Sequence, residues 1–516
     1  MLRATSLACP AVAAAALLAA VPADAAGVPG FDANSSELRA AITGQNVRAH
    51  MVELNRRAGY FGNTRADTTR GYQSSVDYVS LRLRQAGYTP RLQRFDFATY
   101  TDLTEPVMQR QSPSPRNYVY FDEFDSMTYS GSGDVTGTLV ATRDLVLPPG
   151  PTASSSNSGC EPGDFVPAGA APAVALIQRG TCDFAVKAAN AQAAGYDAAV
   201  IFNEGQPGRT DTLRGTLGGP GVAIPVVGTS FAIGNELAGL LKTGPVALRV
   251  KIDAQIEEIE STNVLADTSG RGTRVVVVGA HLDSVPEGPG INDNGSGVAG
   301  ILEIAIQMKR LGIEPRNRVR FAFWGGEESG LFGSQHYVDT LTDAQYQSTW
   351  ANLNFDMIAS PNFARFIYDG DGNAFGLAGP AGSDIIEELF EGYLGRARLA
   401  NEPTAFDGRS DYFAFINAGI PAGGLFTGAE EHKSEAQARL YGGTAGVAFD
   451  PCYHQACDDI RNNNRGVLEQ MTDAAADAVL KLAQSWAELG PAAAAAKMRS
   501  TNAAARMDYR GSRLVR

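Results

Sequence analysis

Apolar residues recur at helical spacing over residues 38–58 and again over 74–86. In the second stretch Val76, Val79, Leu81, Leu83 and Ala86 are interleaved with arginines, and Gly87 supplies a C-terminal stop. Residues 89–97 then alternate as a strand. From about 116 to 251 the texture changes to Gly, Pro and Ser with short β-rich runs: 174–177 and 198–202 read as strands, 184–194 as a helix, and 151–159 as a low-complexity loop. Past 261 the pattern alternates again. Strands at 275–278, 319–324 and 351–356 are each followed by a helix or a turn, the first helix spanning 298–311. Continuous apolar strands separated by helices predict an α/β fold, a mainly parallel mixed sheet flanked by helices. A last helix over 467–489 places Val467, Met471, Ala475, Ala478, Leu482 and Trp486 on one core-facing stripe.

The chain of 516 residues is long enough for several domains, with 44% hydrophobic and 19% charged residues. Its formal net charge of −13 argues against nucleic acid or an anionic membrane as partner. Residues 1–25 read as a secretory signal, with Arg3 ahead of an apolar run and Ala23-Asp24-Ala25 as the cleavage site. The protein is therefore expected outside the cytoplasm, secreted or periplasmic, and no later run is long enough to span a membrane. Cleavage removes Cys9 and leaves Cys160, Cys182, Cys452 and Cys457. An even set in an exported chain points to disulfides with three possible connectivities; the local pairs Cys160–Cys182 and Cys452–Cys457 are favoured over a zinc–thiolate site. Residues 491–516 form an Ala-rich basic tail that reads as disordered or removed.

Candidate chemistry concentrates after 261. The run Val275-Val-Val-Val-Gly-Ala ends in His281, with Asp283 two residues on and Asp293 in a Gly-rich loop. Glu327 and Glu328 follow the next strand, Asp356 ends the third, and His454 lies between two cysteines. Each has an ordinary structural reading alone: a packed imidazole, an Asx turn, a solvated helix start, a cap. Taken together they put imidazoles and carboxylates on the loops at the carboxyl edge of one sheet, where α/β proteins do their chemistry. A zinc hydrolase needs a few nitrogen or oxygen ligands and an open position for water, and two ions sharing that water need a bridging carboxylate. The block 116–251 contains no histidine and is assigned no catalysis. His50, in the opening helix, is uninformative, His336 is read as a surface or packing residue, and His432 as an exposed-loop residue in preference to one on the site rim.

Two resemblances follow from these motifs. Ala175-Leu-Ile-Gln-Arg-Gly-Thr-Cys182-Asp-Phe184, Ala193-Ala-Gly-Tyr196 and Ile224-Pro225 resemble the protease-associated (PA) domain, a β-rich insert of several peptidases. The ordered set from His281 to His454 resembles the secreted co-catalytic di-zinc aminopeptidases of the bacterial leucyl aminopeptidase and aminopeptidase Y type. That resemblance implies the zinc exopeptidase fold and two zinc ions per chain. It makes His281 and Asp356 the ligands of one ion, Glu328 and His454 those of the other, and Asp293 the bridge. It implies Glu327 as the general base acting on a zinc-bridging water, Asp283 as the acid orienting His281, Tyr453 as the phenol supporting the oxyanion, and Arg409 as a substrate-site residue. The implied substrates are peptides or proteins with a free N-terminus, trimmed of large apolar, leucine-like residues. The expected organisation is a signal (1–25), a discontinuous catalytic domain (26–115 and 252–490), the PA insert (116–251) and the tail (491–516), with a monomer favoured. A carboxypeptidase and a non-catalytic binding protein of the same fold are the competing readings.

Overall fold

The computed structural model describes residues 28–489. The expected signal and the basic tail lie outside the described residues. An eight-stranded sheet runs in the order Arg91–Asp102, Ala254–Asp267, Arg318–Trp324, Val275–His281, Thr349–Phe355, Ala422–Phe426, Phe366–Tyr368, Glu402–Thr404. Its centre is parallel: Val275–His281 pairs in parallel with both neighbours, and Thr349–Phe355 pairs in parallel with Ala422–Phe426. The antiparallel pairs lie outside that centre. Every residue of Val275–His281 is buried, which explains why this strand shows no alternation.

Helices cover both faces. Gly44–Tyr60, Arg70–Ala86, Gly295–Arg310 and Arg465–Gln484 pack on one side around Val276, Val278, Ile304 and Met471. Phe332–Asp339 and Tyr412–Asn417 cover the other, around Trp324, Tyr337 and Phe415. Among the described residues no helix is long and apolar enough to cross a membrane.

A second eight-stranded sheet is built mostly from the β-rich middle of the chain, in the order Arg116–Asn117, Val107–Ser112, Ala247–Ile252, Gly133–Ala141, Ala173–Gln178, Ala198–Phe202, Val226–Thr229, Phe124–Ser126. It has an apolar cluster on each face. The sheet reaches back to Val107–Ser112, ahead of the change of texture at 116, because the polar sequence Val-Met-Gln-Arg-Gln-Ser carries little strand signal of its own. The two sheets are joined by a long antiparallel ribbon, registered from Arg91↔Leu265 to Asp102↔Ala254. Both favoured disulfides are present, Cys160–Cys182 and Cys452–Cys457.

Two elements differ from expectation. The first helix is broken into Ser36–Ala41 and Gly44–Tyr60, since Thr43 is extended and its hydroxyl caps the second helix by accepting from Asn46 N at 3.2 Å. The last helix stops at Gln484, where Ser485 turns extended and donates its hydroxyl to Gly30 O. Trp486 is consequently 73% exposed and does not belong to the core stripe.

Candidate metal centre

Three parallel strands end at one edge and deliver the first of the candidate side chains. His281 is the last residue of its strand and lies opposite Trp324, the last of the next; Asp356 follows Phe355, the last of the third. After Trp324 the chain turns through Gly325 and Gly326 (φ +66°), which projects Glu327 and Glu328 over the same edge. The loop carrying Asp293 turns tightly at Gly290, where φ is +58° and a Cβ would lie 2.2 Å from the Asp293 carbonyl oxygen. Asn294 then caps Gly295–Arg310 by accepting from Gly297 N at 2.9 Å. His454 arrives from a loop closed by Cys452–Cys457, with its backbone in the left-handed region (φ +55°).

The side chains converge closely. Asp293 Oδ1 lies 3.1 Å from His281 Nε2, while Oδ2 lies 3.2 Å from His454 Nε2. Asp356 Oδ1 stands 3.2 Å from His281 Nε2, and Glu328 Oε2 stands 3.2 Å from His454 Nε2. Glu327 Oε2 is set back at 3.9 Å from His281 Nε2. Asp283 is buried behind the imidazole, its Oδ1 3.6 Å from His281 Nδ1, and its Oδ2 accepts from Glu328 N at 3.1 Å. The sequence-predicted ligands thus form two sets that share Asp293.

Electrostatics indicate what such a cluster requires. Burial pushes the Glu327 carboxyl well above its usual range, with Glu328 and Asp356 adding to it against the pull of His281. Burial likewise pushes Glu328 up to about 7, and the buried Asp411 nearby up to about 7. Burial disfavours the charged imidazole of His454, but Glu328 and Asp293 outweigh it and raise its pKa to about 10. Asp293 is held low despite its burial, by hydrogen bonds from both imidazoles. Four carboxyl groups, of Asp293, Glu327, Glu328 and Asp356, face only two imidazoles, and bound cations are what would let them ionise together. The donor set fits zinc, a nitrogen- and oxygen-binding ion. Ligand atoms just over 3 Å apart match a tetrahedral ion with bonds of about 2.0–2.1 Å.

Tyr453 and Arg409 lie beside this cluster. The Tyr453 ring stacks on His454 with centroids 3.8 Å apart, and its hydroxyl accepts from Arg409 Nη2 at 3.2 Å. Arg409 also donates to both carboxylate oxygens of Glu430, at 2.8 and 3.2 Å. The adjoining cleft wall is more apolar, with Met357, Tyr368, Phe426 and Ala429.

Several supporting residues carried no readable signal. Asp458 accepts from the backbone N–H groups of Asn292 and Asp293, at 2.8 and 3.0 Å, and fixes Asp293 in place. Arg65, fully buried, donates to the carbonyls of Leu282, Pro289 and Gly290, holding both ends of the Asp283–Asp293 loop. Ser410 donates to Asp356 Oδ2 at 2.6 Å. An acid after a cysteine and an arginine in a short loop reveal such roles only once the chain is folded. His50 is buried between Tyr78 and Glu303, His336 stacks on Phe95, and His432 is exposed.

Comparison with known proteins agrees with this architecture. Residues 263–479 match Peptidase family M28, and residues 135–237 match the PA domain. An aminopeptidase of Pseudomonas aeruginosa is 44% identical over 480 residues, covering 92% of this chain and 87% of that protein. A probable leucine aminopeptidase 2 of Aspergillus fumigatus is 41% identical over 423 residues, covering 82% and 80%. Among solved structures, the aminopeptidase from Aneurinibacillus sp. strain AM-1 superposes with a TM-score of 0.67 at 26% identity, over 88% of this chain and 97% of that one. A match over nearly the whole chain, with the M28 region covering the parallel strands that carry His281, Asp356 and the glutamate pair, shows that this protein belongs to peptidase family M28 and carries an inserted PA domain.

Proposed function

We propose that this chain is an exported zinc aminopeptidase with two ions per chain, one held by His281 and Asp356, the other by Glu328 and His454, and both by Asp293. The observation that carries the reading is the division of the Asp293 carboxylate, one oxygen toward each imidazole. When bound, the ions polarise the scissile carbonyl and lower the pKa of the attacking water.

The protein's own groups supply the rest. Glu327 stands farther from His281 Nε2 than Asp293 and Asp356 do and lines the same cleft, as suits a base that takes the water proton and returns it to the leaving amine. Its burial, which raises its pKa, makes it a competent acceptor near neutral pH once cations offset the crowding of carboxylates. Asp283 orients the His281 ring and ties it to the Glu328 backbone. The Tyr453 hydroxyl, steadied by Arg409, is positioned to donate to the developing oxyanion. The surplus of carboxylates suits a substrate α-ammonium, and the apolar wall of Met357, Tyr368, Phe426 and Ala429 suits a large apolar N-terminal side chain such as leucine. Arg409 is committed to Glu430 and Tyr453, which disfavours it as receptor for a C-terminal carboxylate and hence the carboxypeptidase reading. Export accords with the disulfides, and with the signal-like residues 1–25.

The test pairs an assay with a metal count. Leucyl peptides with a free amine should be cleaved and their N-acetyl counterparts left intact, activity should vanish with a chelator and return with zinc, and the active protein should hold about two zinc per chain. Cleavage of the blocked peptide would reject the aminopeptidase reading, and an active enzyme with one zinc would reject the shared role of Asp293.

A further inference from the structure

We propose a separate calcium site formed by Asp369, Asp371 and Glu387, where the strand Phe366–Tyr368 meets the helix Ser383–Arg396. One carboxylate oxygen from each residue lies within 4.8 Å of the others. Asp369 is 0% exposed: its Oδ2 accepts from Ala374 N and Phe375 N, but its Oδ1 has no hydrogen-bond partner. An ionised oxygen sealed from water and left without a donor is costly, and a cation is what would satisfy it. Glu387, 6% exposed, accepts from Gly370 N at 2.8 Å and Asp371 N at 3.1 Å, so helix and loop are drawn onto one point. Among the described residues no lysine or arginine pairs with any of the three acids. Burial pushes Glu387 up to about 7, and Glu391 and Asp371 add to the shift.

The sequence has the matching form. Asp369-Gly-Asp371-Gly-Asn373 sets oxygen-bearing side chains at alternate positions, the spacing with which calcium-binding loops wrap an ion. Its glycines are required where they stand. A Cβ on Gly370 would lie 2.2 Å from Ser383 O, and Gly372 has φ +74°. The donors are all oxygen, which selects a hard cation over zinc, and Asp371 is exposed, leaving room for the waters that complete a calcium shell. The site also has a mechanical setting. Tyr368, immediately before Asp369, lines the substrate cleft and stacks on Phe406 at 5.2 Å, while Asp369 N donates to Thr404 O at 2.8 Å. A bound ion would pin the end of this strand, next to the sheet's edge, and with it one wall of the cleft.

Equilibrium dialysis of the zinc-saturated, full-length protein against radiolabelled calcium tests this, with thermal unfolding measured in parallel. The wild type should take up about one calcium with an affinity on the order of 10⁻⁴ to 10⁻³ M, and its unfolding midpoint should rise with calcium. Asp371→Asn alters an exposed rim residue and should fold normally, with an unchanged midpoint without calcium, yet bind at least about tenfold more weakly. Glu387→Gln should abolish uptake, and if it fails to fold, Asp371→Asn alone decides. No uptake by the wild type at millimolar calcium, or undiminished uptake by Asp371→Asn, would overturn the site. The readout is calcium rather than peptide cleavage, so its failure is separate from any failure of the aminopeptidase reading.

Discussion

Glu327 and Glu328 are neighbours in the chain with different surroundings. Glu328 sits 3.2 Å from His454 Nε2, whereas Glu327 stands off at 3.9 Å from His281 Nε2. Adjacent residues on a turn point apart, so one can serve as ligand while the other faces the open side of the pocket. Glu327→Gln keeps the shape and removes the base. It should retain the zinc content of the wild type and lower kcat by about 10²- to 10⁴-fold, as measured by metal analysis and leucyl-peptide kinetics on the same preparation; wild-type turnover would reject Glu327 as the base. Asp293 carries the larger structural burden. Its position rests on Asp458 through the backbone and on the capped helix through Asn294, so the shared carboxylate is held from both sides.

Among elements, the helix Phe184–Ala193 of the PA domain contains an unusual buried cation. Lys187 is 0% exposed, donates to Ser158 O, and lies 3.6 Å from Cys160 Sγ. Burial pulls its pKa down to about 8. A lysine with a depressed folded pKa destabilises the fold while both states are protonated, below about pH 8. The penalty is relieved as pH rises from about 8 towards 10.5, where the unfolded chain still holds the proton. Lys187→Met should therefore stabilise the protein at pH 7 by about 1–3 kcal/mol, an advantage that shrinks over that window. Denaturant unfolding at pH 7 and pH 10 measures it, and a pH-independent difference would show that the ammonium is not the cause. The same scale decides what the sequence could reveal. The strand Val275–His281 was legible because parallel central strands are apolar throughout, and His281, the glutamate pair and Asp356 stood out because each ends or follows such a strand. The strand Val107–Ser112 was not, since a half-polar strand takes its identity from Ala247–Ile252 beside it. Trp486 misled because periodicity continues past a point where Ser485, bonded to Gly30, has already turned the chain. Asp458 and Arg65 act on backbone atoms distant in sequence, and no local pattern encodes that.

For the whole molecule, the ribbon of Arg91–Asp102 with Ala254–Asp267 is the principal joint. Everything between Asp102 and Ala254 leaves and returns at two paired positions. Replacing residues 103–253 by a two-residue Asn-Gly turn should close the ribbon as a hairpin and leave a folded metal-binding unit. Phe332, stacked on Phe97 at 4.5 Å, also packs against the insert's core, so some stability should be lost, about 2–4 °C in Tm for each kcal/mol. Circular dichroism and zinc analysis of the shortened protein check this, and an unfolded product would show that the insert completes the core.

The contact between Asp458 and Asp293 spans 165 residues, and Ser35 near the amino end bonds Asp477 in the last helix across 442. A ribosome delivers the chain from the amino end, so His281, Asp293, Glu328 and Asp356 are made well before His454. Neither His454 nor the acid that steadies Asp293 exists until every strand of the parallel-centred sheet has been made. On the proposed two-ion reading, a chain cut short before residue 454 keeps its apolar strands but lacks the imidazole and the disulfide loop that would close the pocket around a second ion.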